Sequence, residues 1–147
     1  MVRRTGLSSS ADQPGNMVSF ITRRLDQAKT EPAPDRSTVR PLIRVAGASI
    51  AHFTLAAGHI SQPVRHRTVE EVWYVLSGSG TLWRREPAGE GIEALRPGTC
   101  VTIPPGTSFQ FRSTATESLC ILGVTLPPWP GPDEAEACNG IWPADGQ

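Results

Sequence analysis

Short runs of apolar and β-branched residues, separated by proline and glycine, follow one another along most of the chain. Within these runs apolar and polar positions alternate, as they do on a strand with one buried face. In residues 49–56, for example, Ala51, Phe53 and Leu55 share one face, and His52 lies on the opposite face, away from the core. The pattern predicts strands at residues 39–45, 49–56, 72–76, 81–85, 92–95, 100–103, 108–113 and 118–126.

The segment from residue 64 to residue 80 combines this pattern with candidate chemistry. It carries His66, then Glu71 five positions later, then a β-rich run that ends at the turn Gly78-Ser79-Gly80. A strand, a bend and a second strand can direct the imidazole and the carboxylate into the same interior. We therefore predict that His66 and Glu71 face one cavity, within reach of a hydrogen bond or a shared water molecule.

The composition fits an all-β protein with one domain. The 147 residues suffice for one core, and 14 prolines and 14 glycines favour short strands joined by turns. No long helical pattern is present, so the chain predicts a sandwich or barrel. Pro41 lies inside a predicted strand, a position that is tolerated only at a sheet edge or a bulge.

The two ends of the chain differ from the central region. Residues 1–16 contain almost no apolar side chains and are predicted to be disordered, so Met17 is an alternative start to Met1. Residues 17–38 form an N-terminal arm, with strand character at 18–21 and one or two helical turns at 22–29. The barrel spans residues 39–126. A proline-rich tail, residues 127–147, contains Trp129 and Trp142, which are predicted to cap an open end of the barrel or to contact a partner subunit, and one helical turn at 133–138.

Charge and cysteine content limit the possible partners and the compartment. Fourteen basic and fourteen acidic residues give a formal net charge of zero, which does not favour binding to nucleic acid or to an anionic membrane through bulk charge. Cys100, Cys120 and Cys138 are an odd number at scattered spacing, so neither a disulfide framework nor a zinc site is indicated. A reducing cytoplasm is the expected location, since the sequence shows neither a signal peptide nor an apolar run of transmembrane length.

Two segments resemble the motifs of the cupin superfamily. In the first motif, Gly58 is followed by five residues, then Val64-Arg65-His66, four residues, Glu71, six residues and Gly78. In the second, Gly98 is followed by five residues, then Pro104-Pro105-Gly106, two residues, Phe109, three residues and Ser113. The glycine and proline framework fits both family motifs at every spacing. The resemblance implies a cupin-like double-stranded β-helix, which is a jelly-roll barrel.

The resemblance also implies a metal site, which this sequence keeps only in part. Metal-binding cupins direct three histidines and one glutamate at one ion, and His66 and Glu71 occupy two of these four positions. Val64 and Phe109 occupy the other two, and Ser113 occupies the position of the motif asparagine. The site residues are therefore His66 and Glu71 as a partial metal shell or a catalytic pair, surrounded by a ligand pocket of Val64, Trp73, Phe109, Phe111 and Ser113. An Fe, Zn, Mn or Ni ion could bind weakly there or not at all.

Two functions are consistent with these residues. The first is a barrel that binds a small, partly apolar molecule. The second is an enzyme: a metal-dependent isomerase or dioxygenase, or a metal-free isomerase, epimerase or cyclase in which His66 and Glu71 move a proton. The resemblance further implies a homodimer, because small cupins pair through their sheets and exposed strand edges need cover.

Overall fold

Most of the strands form where the alternating pattern predicts them. A computed structural model of the chain describes residues 19–145. Its strands are β1 (Glu31–Pro32), β2 (Thr38–Arg44), β3 (Ser49–Leu55), β4 (Val64–His66), β5 (Glu70–Ser77), β6 (Gly80–Glu86), β7 (Gly89–Leu95), β8 (Cys100–Ile103), β9 (Ser108–Ser113), β10 (Leu119–Leu126) and β11 (Ala135–Ala137). Two 3₁₀ turns, Leu25–Gln27 and Pro132–Glu134, complete the elements of the described residues.

The strands are arranged in two antiparallel sheets. One sheet has the order β1-β2-β3-β10-β5-β8, and the other has the order β11-β4-β9-β6-β7. Consecutive strands repeatedly change sheet, as they do in a jelly roll: β3 and β5 lie in the first sheet, and β4 and β6 in the second. The all-β fold predicted from the sequence is thereby confirmed.

The core lies between the sheets and is built from inward-facing residues of both. Its fully buried members include Val75, Leu82, Leu95, Ile103, Phe111, Leu119 and Ile121. In Leu119–Leu126 every second residue is buried, as alternation predicts, whereas β6 and β9 also bury a residue of the outer face, Trp83 and Gln110. The sheet faces therefore follow directly from the sequence pattern.

Two differences from the sequence predictions concern β7 and the N-terminal arm. β7 begins at Gly89, because Glu86 pairs with Gly89 around a two-residue turn; most of the strand is exposed and polar, so it has no apolar alternation to reveal it. Strand character was predicted at residues 18–21, but the described residues of that segment, 19–21, are not in a strand, and Phe20 and Ile21 are exposed. The predicted disordered segment, residues 1–16, lies outside the described residues.

Two other predictions concern strand irregularity and the C-terminal tail. The register of β2 against β3 shifts between Pro41 and Ile43, which is the bulge that Pro41 required. In the tail, the predicted helical turn at 133–138 is a 3₁₀ turn followed by β11, because residues 135–137 pair with β4.

The C-terminal tail is fixed to the outside of β9 by one buried side chain. The amide of Gln110 donates to the backbone oxygens of Ser61 and Trp142, and its oxygen accepts from the N–H groups of Ile141 and Trp142. The Arg112 guanidinium lies 4.2 Å from the centre of the Trp142 ring. Trp142 therefore packs on β9.

Across residues 19–145, no helix is long and apolar enough to cross a membrane.

Candidate functional site

His66 and Glu71 come from opposite sheets and meet inside the barrel. His66 ends β4 and Glu71 begins β5, so residues 67–69 carry the chain from one sheet to the other. Their side chains are 7% and 3% exposed, and Nδ1 of His66 lies 3.3 Å from Oε2 of Glu71. The geometry that the sequence predicted for this pair is thus present.

The C-terminal tail holds the connection between these two residues in place. The backbone N–H groups of Thr68 and Val69 donate to Oε1 of Glu134, and the Thr68 hydroxyl donates to the same carboxylate. The N–H of Arg67 donates to the backbone oxygen of Glu134. Glu134 therefore satisfies the backbone of a turn that has no strand partner, and fixes how His66 and Glu71 approach each other.

Burial displaces the pKa values of the pair in opposite directions. Loss of hydration raises the pKa of Glu71 from 4.5 to about 8, with a smaller opposing effect from the Trp73 indole. Loss of hydration also lowers the pKa of His66 from 6.5 to about 4, partly opposed by the charge of Glu134. At pH 7 both groups are therefore mainly neutral, so their close contact is not an ion pair.

The pair faces a cavity of about 720 Å³. The cavity lies between the two sheets at one end of the barrel, and both arms of the chain contribute to its walls. Its lining includes Val64, His66 and Phe109 from one sheet, Ala51, Phe53, Glu71, Trp73, Gly123 and Thr125 from the other, Pro32 and Asp35 from the N-terminal arm, and Trp129 and Pro132 from the C-terminal tail.

Aromatic rings surround His66. The Phe109 and Trp129 rings each lie 5.1 Å from the imidazole in edge-on arrangements, and Phe109 also contacts Trp73 edge-on at 5.7 Å. The backbone of Trp129 is tied to the opposite sheet, since its N–H donates to Ser49 and its oxygen accepts from Arg44. Trp129, predicted to cap an open end of the barrel or to meet a partner subunit, lines this cavity.

Two polar atoms beside Glu71 lack a hydrogen-bond partner among the described residues. They are Nδ1 of His66 and Nε1 of Trp73, both fully buried. Nδ1 of His66 lies 3.3 Å from Oε2 of Glu71, and the Trp73 indole is near enough to lower the pKa of Glu71, but neither atom makes a hydrogen bond of normal geometry. Buried polar atoms of this kind usually have a partner, so a ligand with oxygen or nitrogen atoms would be stabilised at this point of the cavity.

Three of the five predicted pocket residues line the cavity, and two lie elsewhere. Val64, Trp73 and Phe109 line it, whereas Phe111 is packed in the core, 4.9 Å from the Trp73 ring. Ser113 is bound into the loop before β4, where its hydroxyl donates to the backbone oxygen of Ala56. All five positions are buried, but β9 crosses the barrel, and only the end of it that carries Phe109 borders the cavity.

The donor set does not fit the metal site of the family motif. Val64 and Phe109 are direct cross-strand neighbours, so the two emptied ligand positions lie side by side, and neither side chain can coordinate an ion. Within residues 19–145, no group of three or more His, Cys, Asp or Glu side chains is placed to hold a metal ion. His66 and Glu71 supply two donors, whereas catalytic metal sites normally have three.

The other two histidines lie away from the cavity. His59 is mostly exposed, and its Nδ1 lies 3.2 Å from a carboxylate oxygen of Asp145. His52 alternates with the cavity-lining Phe53 and pairs across the sheet with Arg40 and Leu122. Although it lies opposite the apolar face, as predicted, its side chain is buried, and burial and the charge of Arg40 lower its pKa.

Sequence reasoning missed Asp35 and Gly123 as parts of the site. Asp35 lies in a connector between prolines and a serine, where an aspartate is an ordinary turn residue, so its burial could not be expected. A Cβ atom on Gly123 would lie 2.7 Å from Phe53 and 3.1 Å from Oε1 of Glu71. A glycine within a strand interior was the available signal for this close approach.

Comparison with known proteins identifies the family and the fold. A family model described as "Cupin domain" matches residues 51–125, half of the chain. No curated protein matches the sequence significantly. Among solved structures, Pac13, described as a nucleoside dehydratase, aligns with a TM-score of 0.66 at 13% identity, covering 84% of this chain and 95% of that chain. Pac13 comes from Streptomyces, and variants of it were solved with uridine.

Two further structures have the same fold. The polyketide cyclase RemF from Streptomyces resistomycificus aligns with a TM-score of 0.64 at 22% identity, covering 85% of this chain and 88% of that chain. KdgF from Halomonas aligns with a TM-score of 0.64 at 12% identity, covering 76% and 97%. At these identities the likeness concerns the fold alone.

Proposed function

Because the chain belongs to the cupin family and encloses an apolar cavity with two neutral titratable groups, we propose that it is an acid–base enzyme. Its substrate is a small, partly apolar molecule, and Glu71 and His66 move a proton on it. A metal ion has no part in the proposal, since the donor set provides only two ligands.

The opposite pKa displacements of Glu71 and His66 are the observation that carries this proposal. A carboxyl with a pKa of about 8 keeps its proton at pH 7 and can donate it, and an imidazole with a pKa of about 4 is free to accept one. Strongly displaced pKa values in a cavity are typical of catalytic groups. A general acid and a general base thus lie next to each other.

The cavity walls support a ring-bearing substrate with at least one oxygen. Phe53, Phe109 and Trp129 offer aromatic and apolar surface, while the unpaired Nδ1 of His66 and Nε1 of Trp73 offer polar contacts at one place. Pac13 and RemF, named as a nucleoside dehydratase and a polyketide cyclase, agree with this class of substrate. If the carbonyl oxygen of the substrate lies beside Glu71, the carbon next to that carbonyl group lies near His66.

The simplest step of this kind is enolisation. His66 takes a proton from the carbon next to a carbonyl, the electron pair of the C–H bond forms a C=C bond, and Glu71 gives its proton to the carbonyl oxygen. Reversal restores the ketone and both protein groups. Isomerisation, epimerisation and cyclisation all begin with such a proton transfer.

Deuterium exchange into 2-tetralone, a bicyclic ketone, tests the proposal. In deuterium oxide the wild-type protein should exchange the protons next to the carbonyl about 100-fold faster than the double variant Glu71→Gln/His66→Gln, followed by NMR. Calorimetry on both proteins measures whether 2-tetralone binds. Glu90→Gln, on the exposed β7, is the matched control and should exchange at the wild-type rate.

The second candidate is a binding protein without catalysis, which is favoured by the apolar side chains at the two emptied ligand positions. Equal, slow exchange by wild-type and double variant, with 2-tetralone bound to both, would establish this alternative. Absence of binding to either protein would contradict both candidates, because each assigns a partly apolar ring to the cavity.

We also propose that the protein forms a homodimer. Phe20, Ile21, Tyr74 and Leu76 have exposed aromatic or aliphatic side chains, which association of two chains would remove from water. Light scattering at micromolar concentration should give twice the mass of the chain, and a monomer mass would contradict the proposal.

A further inference from the structure

A second carboxyl group lines the same cavity from the N-terminal arm. Asp35 is 7% exposed, lies just before β2, and belongs to the cavity wall with Glu71 and His66. The proposed reaction does not use it. Burying a carboxyl group is costly unless it is hydrogen-bonded, and the hydrogen bonds from Ser37 offset part of this cost.

The turn that carries Asp35 is fixed on several sides. The N–H of Ala33 donates to the oxygen of Ser37 at 3.0 Å, and the N–H of Arg36 donates to the oxygen of Ala33 at 2.9 Å. Arg36 has a φ of 69°, a conformation that residues other than glycine rarely adopt. The Asp35 backbone oxygen accepts from the N–H of Gln62. The carboxyl group is therefore held in one place.

Both hydrogen bonds that Ser37 makes with the carboxyl group go to the same oxygen. The N–H and the hydroxyl of Ser37 donate to Oδ1, at 2.9 and 2.6 Å, and Asp35 belongs to the cavity wall, so we expect Oδ2 to reach a molecule bound there. Burial raises the pKa of Asp35, and the Ser37 hydrogen bonds oppose this in part. The charge of Asp35 raises the pKa of Glu71, so the two carboxyl groups interact electrostatically.

We propose that Asp35 is a third acid–base group of this site, which protonates a leaving hydroxyl group on the bound molecule. The inference rests on the proposed function and extends it from enolisation to elimination of water. Glu71 and His66 adjoin each other and act at one point of a substrate, whereas Asp35 reaches the cavity from a different part of the chain. A substrate with a hydroxyl group two carbons from a carbonyl could contact both.

The elimination step balances within these residues. His66 takes the proton from the carbon between the two functional groups, and the C–H electron pair forms a C=C bond. The bond from the next carbon to its hydroxyl group breaks, Asp35 gives its proton to the departing oxygen, and water leaves. Transfer of the proton from His66 to Asp35 then restores both groups.

Asp35→Asn separates this role from a structural one. Asparagine keeps an oxygen that can accept both Ser37 hydrogen bonds but has no acidic proton. With 4-hydroxy-4-phenylbutan-2-one as substrate, elimination gives a conjugated enone that absorbs in the ultraviolet. Asp35→Asn should slow this elimination about 100-fold and slow deuterium exchange into 2-tetralone far less, because exchange involves no leaving hydroxyl group. Asp26→Asn, an exposed change in the same arm, should alter neither.

Two further measurements keep the inference testable. In ¹³C NMR of the Glu71 carboxyl, Asp35→Asn should lower the titration midpoint relative to wild type, because Asp35, which acts as an acid at lower pH, is charged at the pH where Glu71 titrates. Ser37→Ala retains the carboxyl but removes a hydrogen bond that favours its charged form, so elimination should persist to higher pH. The other titratable or charged groups that line the cavity are Arg23, Glu31, Arg44, His66 and Glu71.

The outcomes separate the two proposals. Equal losses of elimination and exchange in Asp35→Asn would show that Asp35 only holds the turn, and would overturn the inference. An unchanged Glu71 midpoint would also overturn it. If wild type does not exchange 2-tetralone at all, the proposed function fails, and the Glu71 midpoint alone decides whether Asp35 belongs to the site.

Discussion

The two ends of the barrel are built from the same strands but are filled differently. On β10, Ile121 is packed in the core, whereas Gly123, two residues later, borders the cavity. β9 repeats the contrast: Phe111 is packed in the core, and Phe109 lines the cavity. The inward face of each of these two strands is thus packed in the core at one position and borders the cavity two residues away.

Small side chains and the two arms explain the difference. Gly123 pairs with Ala51 on β3 and with Trp73 on β5. Two of these three neighbouring residues have very small side chains, which leaves space beside the Trp73 ring. Pro32 and Asp35 on one arm and Trp129 on the other complete the walls around this space. Strand alternation creates the inward face, but missing volume and non-repeating segments create the cavity.

The largest expected effect contrasts two phenylalanines. Phe111→Ala should destabilise the protein by about 3–5 kcal/mol, because it leaves a void in close-packed surroundings. Phe53→Ala should cost less than half as much, since Phe53 is partly buried and already borders the cavity. Urea denaturation of both variants measures the difference. Equal losses would show that the two ends are packed alike.

The sequence alone predicted one part of this comparison and not the other. Alternation and motif spacing placed Val64, His66, Glu71 and Phe109 on inward faces, because the two-residue period of a strand is local. The same reasoning could not separate Phe111 from Phe109, since which end of the barrel holds a cavity depends on distant segments.

The contribution of Asp35 was beyond the sequence for the same reason, and so was the choice between the two positions predicted for Trp129, at an open end of the barrel or against a partner subunit. Asp35 is positioned by contacts within its own turn and with Gln62, and Trp129 by hydrogen bonds to Ser49 and Arg44. No local periodicity marks such tertiary contacts. A turn aspartate and a tryptophan between prolines have the same sequence pattern whether they face solvent or a cavity.

Rebuilding the metal shell tests whether the cavity end retains the backbone of a metal site. Val64→His together with Phe109→His should place two imidazoles beside His66 and Glu71, which gives four donors suited to zinc. Zinc at 100 times its dissociation constant should then stabilise the double variant by about 2.7 kcal/mol. Thermal denaturation with and without zinc measures this gain.

The matched control is the same pair of changes at the packed end, Val75→His with Phe111→His, which should show no gain with zinc. A wild-type protein that is stabilised by zinc as strongly as the double variant would contradict the interpretation of Val64 and Phe109 as emptied ligand positions.

Adding one methyl group should affect the cavity end through Gly123. Gly123→Ala should destabilise the protein by about 1–3 kcal/mol, because the new Cβ would overlap Phe53 and crowd Glu71. Gly91→Ala on β7 is the control, since a Cβ there meets nothing within 4 Å. If both changes cost the same in urea denaturation, Gly123 does not maintain this space.

The smallest expected effect is the pH dependence that Glu71 gives to stability. Its pKa is about 8 in the folded protein and near 4.5 when unfolded, so the stability it contributes is complete below pH 4.5 and is lost as pH rises through 8. His66 has a lowered pKa, so its contribution is present above pH 6.5 and is lost only as pH falls through about 4.

Between pH 6.5 and 7.5, therefore, the change of stability with pH comes mainly from Glu71, with little contribution from His66. One group of this kind changes the free energy of unfolding by about 1.4 kcal/mol per pH unit at most, and here in the direction of lower stability at higher pH. Glu71→Gln should remove that slope, because its amide does not titrate, and Glu93→Gln on the exposed β7 should retain it. Urea denaturation at the two pH values measures the slope of each protein. A wild-type slope equal to that of Glu71→Gln would mean that Glu71 is charged in the folded barrel. The cavity end would then differ from the packed end in its empty volume but would not raise the pKa of the carboxyl group that it contains.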